Sequence, residues 1–289
     1  MAEFKFLCPQ CGQHIQCGTN YSGKQINCPV CQQVIVVPPS PVAAKSRVLR
    51  NVLVIAAAVL VLAGLGLGGW YGYSTYKIRN AGKNLIGWWK LDDGGGTAAK
   101  DSSRAFKGND GKLVGDPKWV KGRKGGALRF DGSQYVSLGN IFQGSYPEIS
   151  IACWVRHGRS QWQNIVERSA WDNPDGIGLL MDYNGTSVTF GHYGIVGASS
   201  KVNVQDNQWH HVAGTMRQSG SDYIYSIYVD GRLDNAATNS VGLAPTTHGW
   251  AIGARYDGTW TYRGLVEDVR IYDRALSAAE IQTIYMGQK

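Results

Sequence analysis

One long apolar segment constrains this chain more than any other feature of its sequence. The run from Val52 to Tyr73 is uncharged, and no charged residue lies between positions 51 and 76. A helix of roughly 20 apolar residues is enough to span the hydrocarbon core of a bilayer. Aromatic side chains, which are enriched at membrane interfaces, lie at the end of the run: Trp70, Tyr71, Tyr73 and Tyr76. The pattern predicts a transmembrane helix over residues 51–73, with a buried core helix as the alternative.

The net charge of +8 comes almost entirely from the first part of the chain. Residues 1–83 contain eight Lys or Arg and one acid, whereas residues 84–289 contain 21 basic and 20 acidic residues, giving the totals of 29 and 21. Five of the early basic residues flank the apolar run: Arg47, Arg50, Lys77, Arg79 and Lys83. Contact with membrane headgroups explains this charge better than a nucleic-acid footprint does. Nucleic acid is therefore not an expected partner.

Four cysteines near the N-terminus form two C-x-x-C pairs. Cys8 and Cys11 are followed, after 16 residues, by Cys28 and Cys31. Two such knuckles match a structural Zn²⁺ site, and about 30 residues need such an ion to fold. Residues 1–37 resemble a zinc ribbon; two disulfides or a rubredoxin-like iron site are the alternatives. His14 and Cys17 lie between the knuckles and are expected to be bystanders.

Basic residues flank the predicted span on both sides, so the positive-inside rule does not determine its orientation. The cysteines are used instead. Zinc thiolates are best kept in a reducing compartment. The zinc ribbon is therefore expected in the cytoplasm, where a protein partner could bind it, and the C-terminal domain in the periplasm or outside the cell. A Pro-rich linker at 38–50 and a second linker at 74–83 flank the helix. The chain is thus expected to be a single-pass protein of the cytoplasmic (inner) membrane.

Residues 84–289 predict a mainly β domain. Short alternating runs are separated by Gly, Asn and Asp; Ile149, Ile151, Cys153 and Val155, for example, share one face of a strand. Many short strands with frequent turn signals indicate a two-sheet antiparallel sandwich or jelly roll. Ser277 and Glu280 form a capping box that begins one C-terminal helix.

Several motifs in this region resemble the laminin-G-like, concanavalin A-like jelly rolls. They occur in the family's order: Trp88–Asp93, Asp101–Ser103, Ala127–Gly132, Ile151–Val155, Gln208–Thr215, Tyr228–Gly231 and Val266–Ser277. The resemblance covers about residues 84–287. It implies a jelly roll that is often stabilised by calcium and usually binds carbohydrate or protein. Its combination with a zinc ribbon and one membrane helix resembles bacterial proteins.

The resemblance suggests a calcium site in addition to zinc. Carboxylates in the family-like motifs stand at strand ends, where loops from both ends of the domain could meet: Asp92, Asp101, Asp131 and Asp268. Oxygen ligands of this kind suit Ca²⁺. The alternative is that each aspartate forms a local turn or cap.

Catalysis is less expected than binding. A glycan hydrolase needs two facing carboxylates, and the four glutamates after residue 84 stand singly: Glu148, Glu167, Glu267 and Glu280. Alternation along a strand separates His210 from His211. No catalytic residue is therefore assigned, although a carbohydrate-active enzyme, either hydrolase or lyase, remains the alternative function.

Aromatic rings in polar loops are the best candidates for ligand contact, because they stack on sugar rings while nearby carboxylates bind hydroxyl groups. These candidates are Trp162, Trp171, Asp172, Tyr193, Tyr256, Asp257, Trp260 and Tyr262. By contrast, Trp88, Trp154 and Trp209 are expected in the core. The sequence thus predicts a membrane-anchored module that binds carbohydrate or protein; a transmembrane sensor or scaffold acting through the zinc ribbon is a further alternative.

Overall fold

The computed structural model describes residues 2–40, 84–103, 108–142, 144–158, 163–168, 174–182, 186–192 and 196–287. The chain divides into two compact units, residues 1–73 and 74–289. In the described ranges no helix is both long and apolar enough to cross a bilayer. The predicted span at 51–73 and the predicted linker at 74–83 lie outside these ranges, as do residues 41–50 of the first linker.

The N-terminal unit consists of two small hairpins. Its elements are β1 (Glu3–Leu7), β2 (His14–Gly18), a 3-10 turn (Thr19–Tyr21), β3 (Gln25–Asn27) and β4 (Val34–Val36). β1 pairs with β2, and β3 with β4, both antiparallel. The buried cluster contains only Cys8, Ile15, Cys28 and Ile35. A core of this size does not normally stabilise a fold without a disulfide bond, a bound metal ion or oligomerisation.

The C-terminal unit is a sandwich of two eight-stranded sheets, which we call sheet 1 and sheet 2. Sheet 1 has the order β18-β17-β16-β11-β20-β9-β8, and β5 also pairs with β20. Its strands are β5 (Leu85–Trp89), β8 (Lys118–Lys121), β9 (Gly126–Asp131), β11 (Glu148–Arg156), β16 (Trp209–Ser219), β17 (Asp222–Val229), β18 (Arg232–Asn239) and β20 (Arg263–Tyr272). The longest strands therefore lie at its centre.

Sheet 2 has the order β15-β14-β13-β12-β19-β10-β7-β6. Its strands are β6 (Ala98–Ala99), β7 (Gly111–Val114), β10 (Tyr135–Gly139), β12 (Gln163–Arg168), β13 (Ile177–Met181), β14 (Val188–His192), β15 (Val196–Ser199) and β19 (Trp250–Ile252). β19 lies between β10 and β12, and the chain leaves it for β20 of sheet 1. The loop between β19 and β20 therefore joins the two sheets.

Alternation along the strands places one face of each sheet in a shared core. Ile149, Ile151, Cys153 and Val155 are all buried in that core, as their period of two predicts. Burial raises the pKa of the Cys153 thiol strongly, which makes it unreactive. The mainly β, two-layer architecture expected from the sequence is confirmed.

The opposite face of sheet 1 packs against a C-terminal helix, α1 (Ala278–Gly287). Ile281 and Ile284 of α1 join a second buried cluster that includes Ala152 and Ala213 of the sheet. The capping box is present: the Ser277 N–H donates to the Glu280 carboxylate over 2.9 Å, and the Glu280 N–H donates to the Ser277 hydroxyl over 3.3 Å. Helix and cap are both as predicted.

The tryptophans depart from expectation in part. Trp154 is buried as predicted, but Trp88 and Trp209 are only half-buried. Trp88 and Trp89 are consecutive strand residues, so their rings point to opposite faces of sheet 1. Trp89 takes the core position, with no exposed surface, and Trp88 is left on the outer face.

Candidate functional site

The four predicted zinc ligands come together in the N-terminal unit. Their sulfur atoms all lie within 4.8 Å of one another. Cys8 Sγ is 3.8 Å from Cys31 Sγ, and Cys11 Sγ is 3.7 Å from Cys28 Sγ. These separations are far longer than the ~2.05 Å of a disulfide bond. They equal the roughly 3.8 Å edge of a tetrahedron whose centre lies about 2.3 Å from each sulfur.

The two knuckles have the same backbone design. The N–H of Gly12 donates to the carbonyl of Cys8 over 3.0 Å, and the N–H of Gln32 donates to that of Cys28 over 3.0 Å. Gly12 and Gln32 both adopt left-handed backbone angles, with φ of 74° and 60°. Each turn thus brings the two sulfurs of its C-x-x-C pair to the same side.

Backbone donors also favour a thiolate at Cys28. Hydrogen bonds from the N–H groups of Cys31 and Val30 lower the pKa of Cys28 to about 6. Ionised sulfur is the form that binds metal. The donor set and the geometry therefore fit a metal ion, whereas His14 and Cys17 are not part of the four-sulfur group.

Two of the four predicted calcium ligands are turn formers. One carboxylate oxygen of Asp101 accepts the N–H of Trp88 over 3.0 Å and that of Ser103 over 2.8 Å. Asp131 accepts the N–H of Ser133 over 3.1 Å and its hydroxyl over 2.7 Å. Both carboxylates thus already accept hydrogen bonds from donors in neighbouring residues of the protein.

The other two lie at a separate place on sheet 1. Asp268, with φ of 56°, pairs with Arg270 over 3.0 Å and accepts the indole N–H of Trp88. Asp92 and Asp268 line the same cleft. In the part of the chain that the structure describes, only the cysteines form a group of three or more potential metal ligands. The described contacts therefore give no support for a calcium site at the four aspartates, which stays a prediction.

The predicted ligand-binding residues fall into two sets. Trp162, Trp171, Asp172 and Tyr193 lie outside the described residues. Tyr256, Asp257, Trp260 and Tyr262 all belong to residues 253–262, the β19–β20 loop, which we call the bridging loop. Tyr262 has no exposed surface and packs against Phe130 and His157. Complete burial makes Tyr262 a core residue rather than a ring that a sugar can reach.

The bridging loop is held in one shape by its own hydrogen bonds. The N–H of Arg255 donates to the carbonyl of Thr259 over 2.8 Å, and the N–H of Tyr262 donates to that of Gly253 over 2.8 Å. Asp257 Oδ1 accepts the N–H of Thr259 over 3.1 Å and its hydroxyl over 2.7 Å. These bonds make the loop a preorganised surface.

Trp260 is the most exposed tryptophan among the described residues and lies at the end of this loop. Its side chain is 41% exposed, and its φ of 52° is left-handed. The Trp260 carbonyl accepts the N–H of Asn164 in β12 over 3.0 Å. Left-handed angles are uncommon for bulky residues and often mark functional loops.

Charged and aromatic residues precede Trp260 in the same loop. Arg255 binds Asp257 through Nε over 3.0 Å and through Nη2 over 2.5 Å. This bidentate hydrogen bond holds the pKa of Asp257 well below its usual range, so the carboxylate is ionised. Tyr256 stacks on His248 with ring centroids 4.5 Å apart. The loop thus presents rings beside a fixed ion pair.

A buried carboxyl group lies on the outer face of sheet 2. In β12, Val166 faces the core opposite Ile252 of β19, so Glu167, which pairs with Ala251, faces outward. Glu167 is nevertheless only 3% exposed, and Asn164 Nδ2 donates to its carboxyl. Burial raises the pKa of Glu167 to about 8, despite the opposing charge of Arg255.

Sequence reasoning missed Glu167 because it treated each glutamate singly. The segment Gln163–Arg168 was not recognised as a strand, so its outer face was not considered. A polar side chain on a strand between two loops rich in aromatic residues was the available signal. Glu167 is electrostatically coupled to both Arg255 and Asp257, which associates it with the bridging loop.

The two adjacent histidines of β16 are separate, as predicted. His210 contacts Asp230 over 2.9 Å and Asp206 over 3.1 Å. His211 is buried, with its ring against Trp154. They do not form a catalytic pair.

Comparison with solved structures identifies the fold of the sandwich. Domain 4 of AbnA, a GH43 extracellular arabinanase from Geobacillus stearothermophilus solved with arabinotriose, aligns with 70% of this chain and 98% of its own, with a TM-score of 0.57 and 19% identity. Trypanosoma rangeli sialidase bound to 2,3-difluorosialic acid aligns with 71% of this chain, with a TM-score of 0.52 and 20% identity. The binding domain of Paraclostridial Mosquitocidal Protein 1 aligns with 71%, with a TM-score of 0.54 and 17% identity. At these identities the likeness establishes the fold alone.

The extent of these matches differs. This chain spans 33% of the sialidase and 52% of the mosquitocidal binding domain. No curated protein matches it significantly. The sequence model of the concanavalin A-like lectin/glucanases superfamily, Laminin_G_3, matches residues 130–282, or 153 of 289 residues. Because this match covers more than half of the chain, the protein belongs to the concanavalin A-like lectin/glucanases superfamily.

Proposed function

We propose that this protein is a membrane-anchored carbohydrate-binding protein whose sandwich binds a saccharide through the bridging loop. The observation that carries the proposal is the exposed Trp260 ring on a hydrogen-bonded loop that also contains the ionised Asp257. An aromatic face binds the apolar side of a sugar ring, while carboxylate and guanidinium groups bind its hydroxyls. A loop that is already ordered loses little entropy when the ligand binds.

The structural relatives support this proposal. One of them was solved with arabinotriose, and another is itself a binding domain. A short arabino-oligosaccharide is therefore a sensible first probe, although the sugar that binds this chain need not be arabinose. A protein ligand is the alternative outcome of the same experiment.

Trp260→Ala tests the surface directly. We expect it to weaken saccharide binding by about tenfold, because a stacked ring contributes roughly 0.5–1.5 kcal/mol beyond its buried area. The assay is a glycan array on the full chain, followed by calorimetry on the best ligand. Tyr21→Ala, which removes a 46% exposed ring from the N-terminal unit, is the matched control. Equal affinity of both variants and the unchanged protein would refute the role of the bridging loop.

A glycan-cleaving activity is the second candidate, and one observation favours it. Burial raises the pKa of Glu167, whereas the pairing with Arg255 lowers that of the neighbouring Asp257. Two carboxyl groups with opposite shifts are the pattern of an acid and a base in glycosidases. Binding is preferred because Glu167 is almost fully buried and Asp257 is occupied by Arg255 and Thr259. Release of reducing sugar that Glu167→Gln abolishes would favour the enzyme instead.

For the N-terminal unit we propose one structural Zn²⁺ bound by Cys8, Cys11, Cys28 and Cys31. The sulfur separations of 3.7 and 3.8 Å match a tetrahedral site. We expect elemental analysis to find one zinc per chain and Cys11→Ser to lose it; Cys17→Ser, outside the group, is the control. One iron per chain would instead indicate a rubredoxin-like site.

The membrane anchor at residues 51–73 and the topology, with the N-terminal unit in the cytoplasm, belong to the same proposal. The anchor rests on the uncharged apolar run and its basic and aromatic flanks. The topology rests on the cysteines, because zinc thiolates are best kept in a reducing compartment. Cys153 is buried and unsuitable as a label. Leu233, which is 56% exposed, and Tyr21 are better positions for single reporter cysteines. An impermeant maleimide applied to intact cells should label Leu233→Cys and spare Tyr21→Cys; the opposite result reverses the topology.

A further inference from the structure

An open cleft lies on the outer face of sheet 1, at the end where β9 and β11 finish and β20 begins. Its volume is about 420 Å³, which is within the usual range for a small-molecule site. We call it the arginine cleft, and the residues that line it include Arg129, Asp131, Arg156, Asn207, Arg263 and Leu265. None of the cysteines and no residue of the bridging loop is among the described residues that line it.

The register of sheet 1 places two arginines on either side of Leu265. Leu265 of β20 lies opposite Arg129 of β9 and also opposite Arg156 of β11. Residues that pair directly share a face of the sheet. A sequence neighbour of each of the three is buried in the core, so all three side chains lie on the outer face. Neighbouring strands are about 4.8 Å apart, so the backbones of the two arginines are roughly 10 Å apart, with the leucine between them.

A third arginine and one acid lie two residues further along the same strands. Arg263 of β20 pairs with Asp131 of β9, and both share the outer face with the first row. Hydrogen bonds from Ser133 lower the pKa of Asp131, and the charge of Arg263 adds to this effect. Asp131 is therefore ionised and offsets one of the three positive charges.

The other two positive charges of the arginine cleft have no acidic partner. Arg156 Nε donates to the carbonyl of Asn207 over 2.9 Å, which fixes the side chain and leaves both terminal nitrogens available. Arg129 is exposed, and its side chain forms neither a hydrogen bond nor an ion pair with the part of the chain that the structure describes. The cleft thus contains N–H donors that no protein group uses.

The nearest charges outside the cleft are already paired. Lys118, opposite Arg129 in β8, forms an ion pair with Asp116. Asp206 contacts His210 over 3.1 Å, and neither of these two aspartates lines the cleft. Residues 84–289 contain 21 basic and 20 acidic residues, so the excess of positive charge in the cleft is a local property.

A guanidinium group has parallel N–H donors that match two oxygens of a carboxylate, sulfate or phosphate group. Two guanidinium groups on either side of an aliphatic side chain can bind one such group from both sides, and its charge offsets their mutual repulsion. We propose that the arginine cleft is an oxyanion site, in which Arg129 and Arg156 bind the oxygens above Leu265 and Arg263 supplies further positive charge. The site does not depend on saccharide binding at the bridging loop.

Calorimetry on the full chain, at constant ionic strength in sodium chloride, tests the site with inorganic phosphate and with glucuronate. The two probes carry an oxyanion from different sources, a free anion and an acidic sugar. Binding of either probe in competition with chloride is the expected result, and the tighter of the two identifies the source. If neither probe binds, the proposal is wrong.

Arg156→Met keeps the aliphatic part of the side chain and removes the guanidinium group. We expect it to weaken anion binding at least about tenfold, because hydrogen bonds to charged groups are strong. Arg129→Met should have a similar effect, and it replaces the first variant if Arg156→Met does not fold, since Arg129 makes no described side-chain hydrogen bond.

Arg217→Met is the matched control. Arg217 is exposed on the same outer face, but it lies opposite Glu148 at the other end of β11 and outside the cleft. The control should bind the anion as the unchanged protein does. Equal losses in the cleft and control variants, or no loss in the cleft variants, would overturn the site. Neutral glucose carries no oxyanion, so any affinity for it should be the same in all variants.

Discussion

Glu167 makes the stability of the sandwich depend on pH in a direction opposite to that of most carboxylates. Burial raises the pKa of Glu167 from its ordinary value of 4.5 to about 8. Each pKa unit corresponds to about 1.4 kcal/mol, so ionisation costs the folded state on the order of 5 kcal/mol. Below pH 4.5 the group is protonated in both states. Between pH 4.5 and 8 unfolding releases its proton, so the free energy of unfolding falls as pH rises, and the loss persists above pH 8.

Glu167→Gln removes this dependence. The amide has almost the same shape, carries no titrating proton in this range, and its carbonyl can accept the hydrogen bond from Asn164 Nδ2. The variant should be close to the unchanged protein in stability near pH 5 and become more stable by on the order of 5 kcal/mol near pH 9.

Urea unfolding followed by tryptophan fluorescence between pH 5 and 9 measures this difference. The signal reports on the sandwich, because nine of the ten tryptophans lie in residues 84–289. Glu148→Gln makes the same change on a half-buried side chain of β11 and serves as the control. Parallel stability curves for Glu167→Gln and the unchanged protein would refute the buried, protonated state.

Two further substitutions test the packing and electrostatics of sheet 1. Gly214→Ala would place a Cβ 2.0 Å from the Phe190 ring, so we expect a loss of roughly 1–3 kcal/mol in urea unfolding, with no comparable loss in Gly95→Ala, where space is open. The hydrogen bond to Asp230 raises the pKa of His210 above its ordinary 6.5. The stability that this ion pair contributes is complete below pH 6.5 and is lost as pH rises through the folded-state pKa of His210. The free energy of unfolding of the unchanged protein, relative to that of His210→Gln, should therefore decline over that range. A difference that does not depend on pH would contradict the pairing.

Sequence pattern predicted the central strands well because their two faces differ. The alternating run from Ile149 to Val155 lies within β11, and the family-like motifs Gln208–Thr215 and Val266–Ser277 overlap β16 and β20. Each of these strands pairs on both sides within a sheet. Apolar side chains must therefore recur with period two on the core face, and this recurrence is visible in the sequence.

The same reasoning failed where burial and polarity do not alternate. β18 is an edge strand with the sequence RLDNAATN, and its pairing with β17 rests on backbone hydrogen bonds. β12 is buried throughout yet contains Gln163, Asn164, Glu167 and Arg168. Neither pattern alternates as a half-buried strand does, so alternation alone did not reveal the outer face of sheet 2 or its buried carboxyl group.

Short-range chemistry was predictable in the candidate sites, but long-range contact was not. The spacing of Cys8, Cys11, Cys28 and Cys31 indicated one site, because the tight turn of each C-x-x-C pair brings its own two sulfurs together. Only the two short hairpins then have to pack against each other. The aspartates suggested for calcium depended on loops converging across the domain, and only Asp92 and Asp268 line one cleft. Predicting which residues lie near Trp260 requires the register between β12 and β19, and that register depends on the complete fold.

The pairing of β5 with β20 has a consequence for how the sandwich forms. Trp89 lies opposite Val269, 180 residues later in the chain. During synthesis or export from the N-terminal end, β5 therefore lacks its partner strand until β20 is available, although Asp101 and Asn109 already contact it. Contacts so distant in sequence slow folding. A circular permutation that joins the two ends would bring β20 and β5 close in sequence, with only α1 and the new linker between them, and we expect it to accelerate folding.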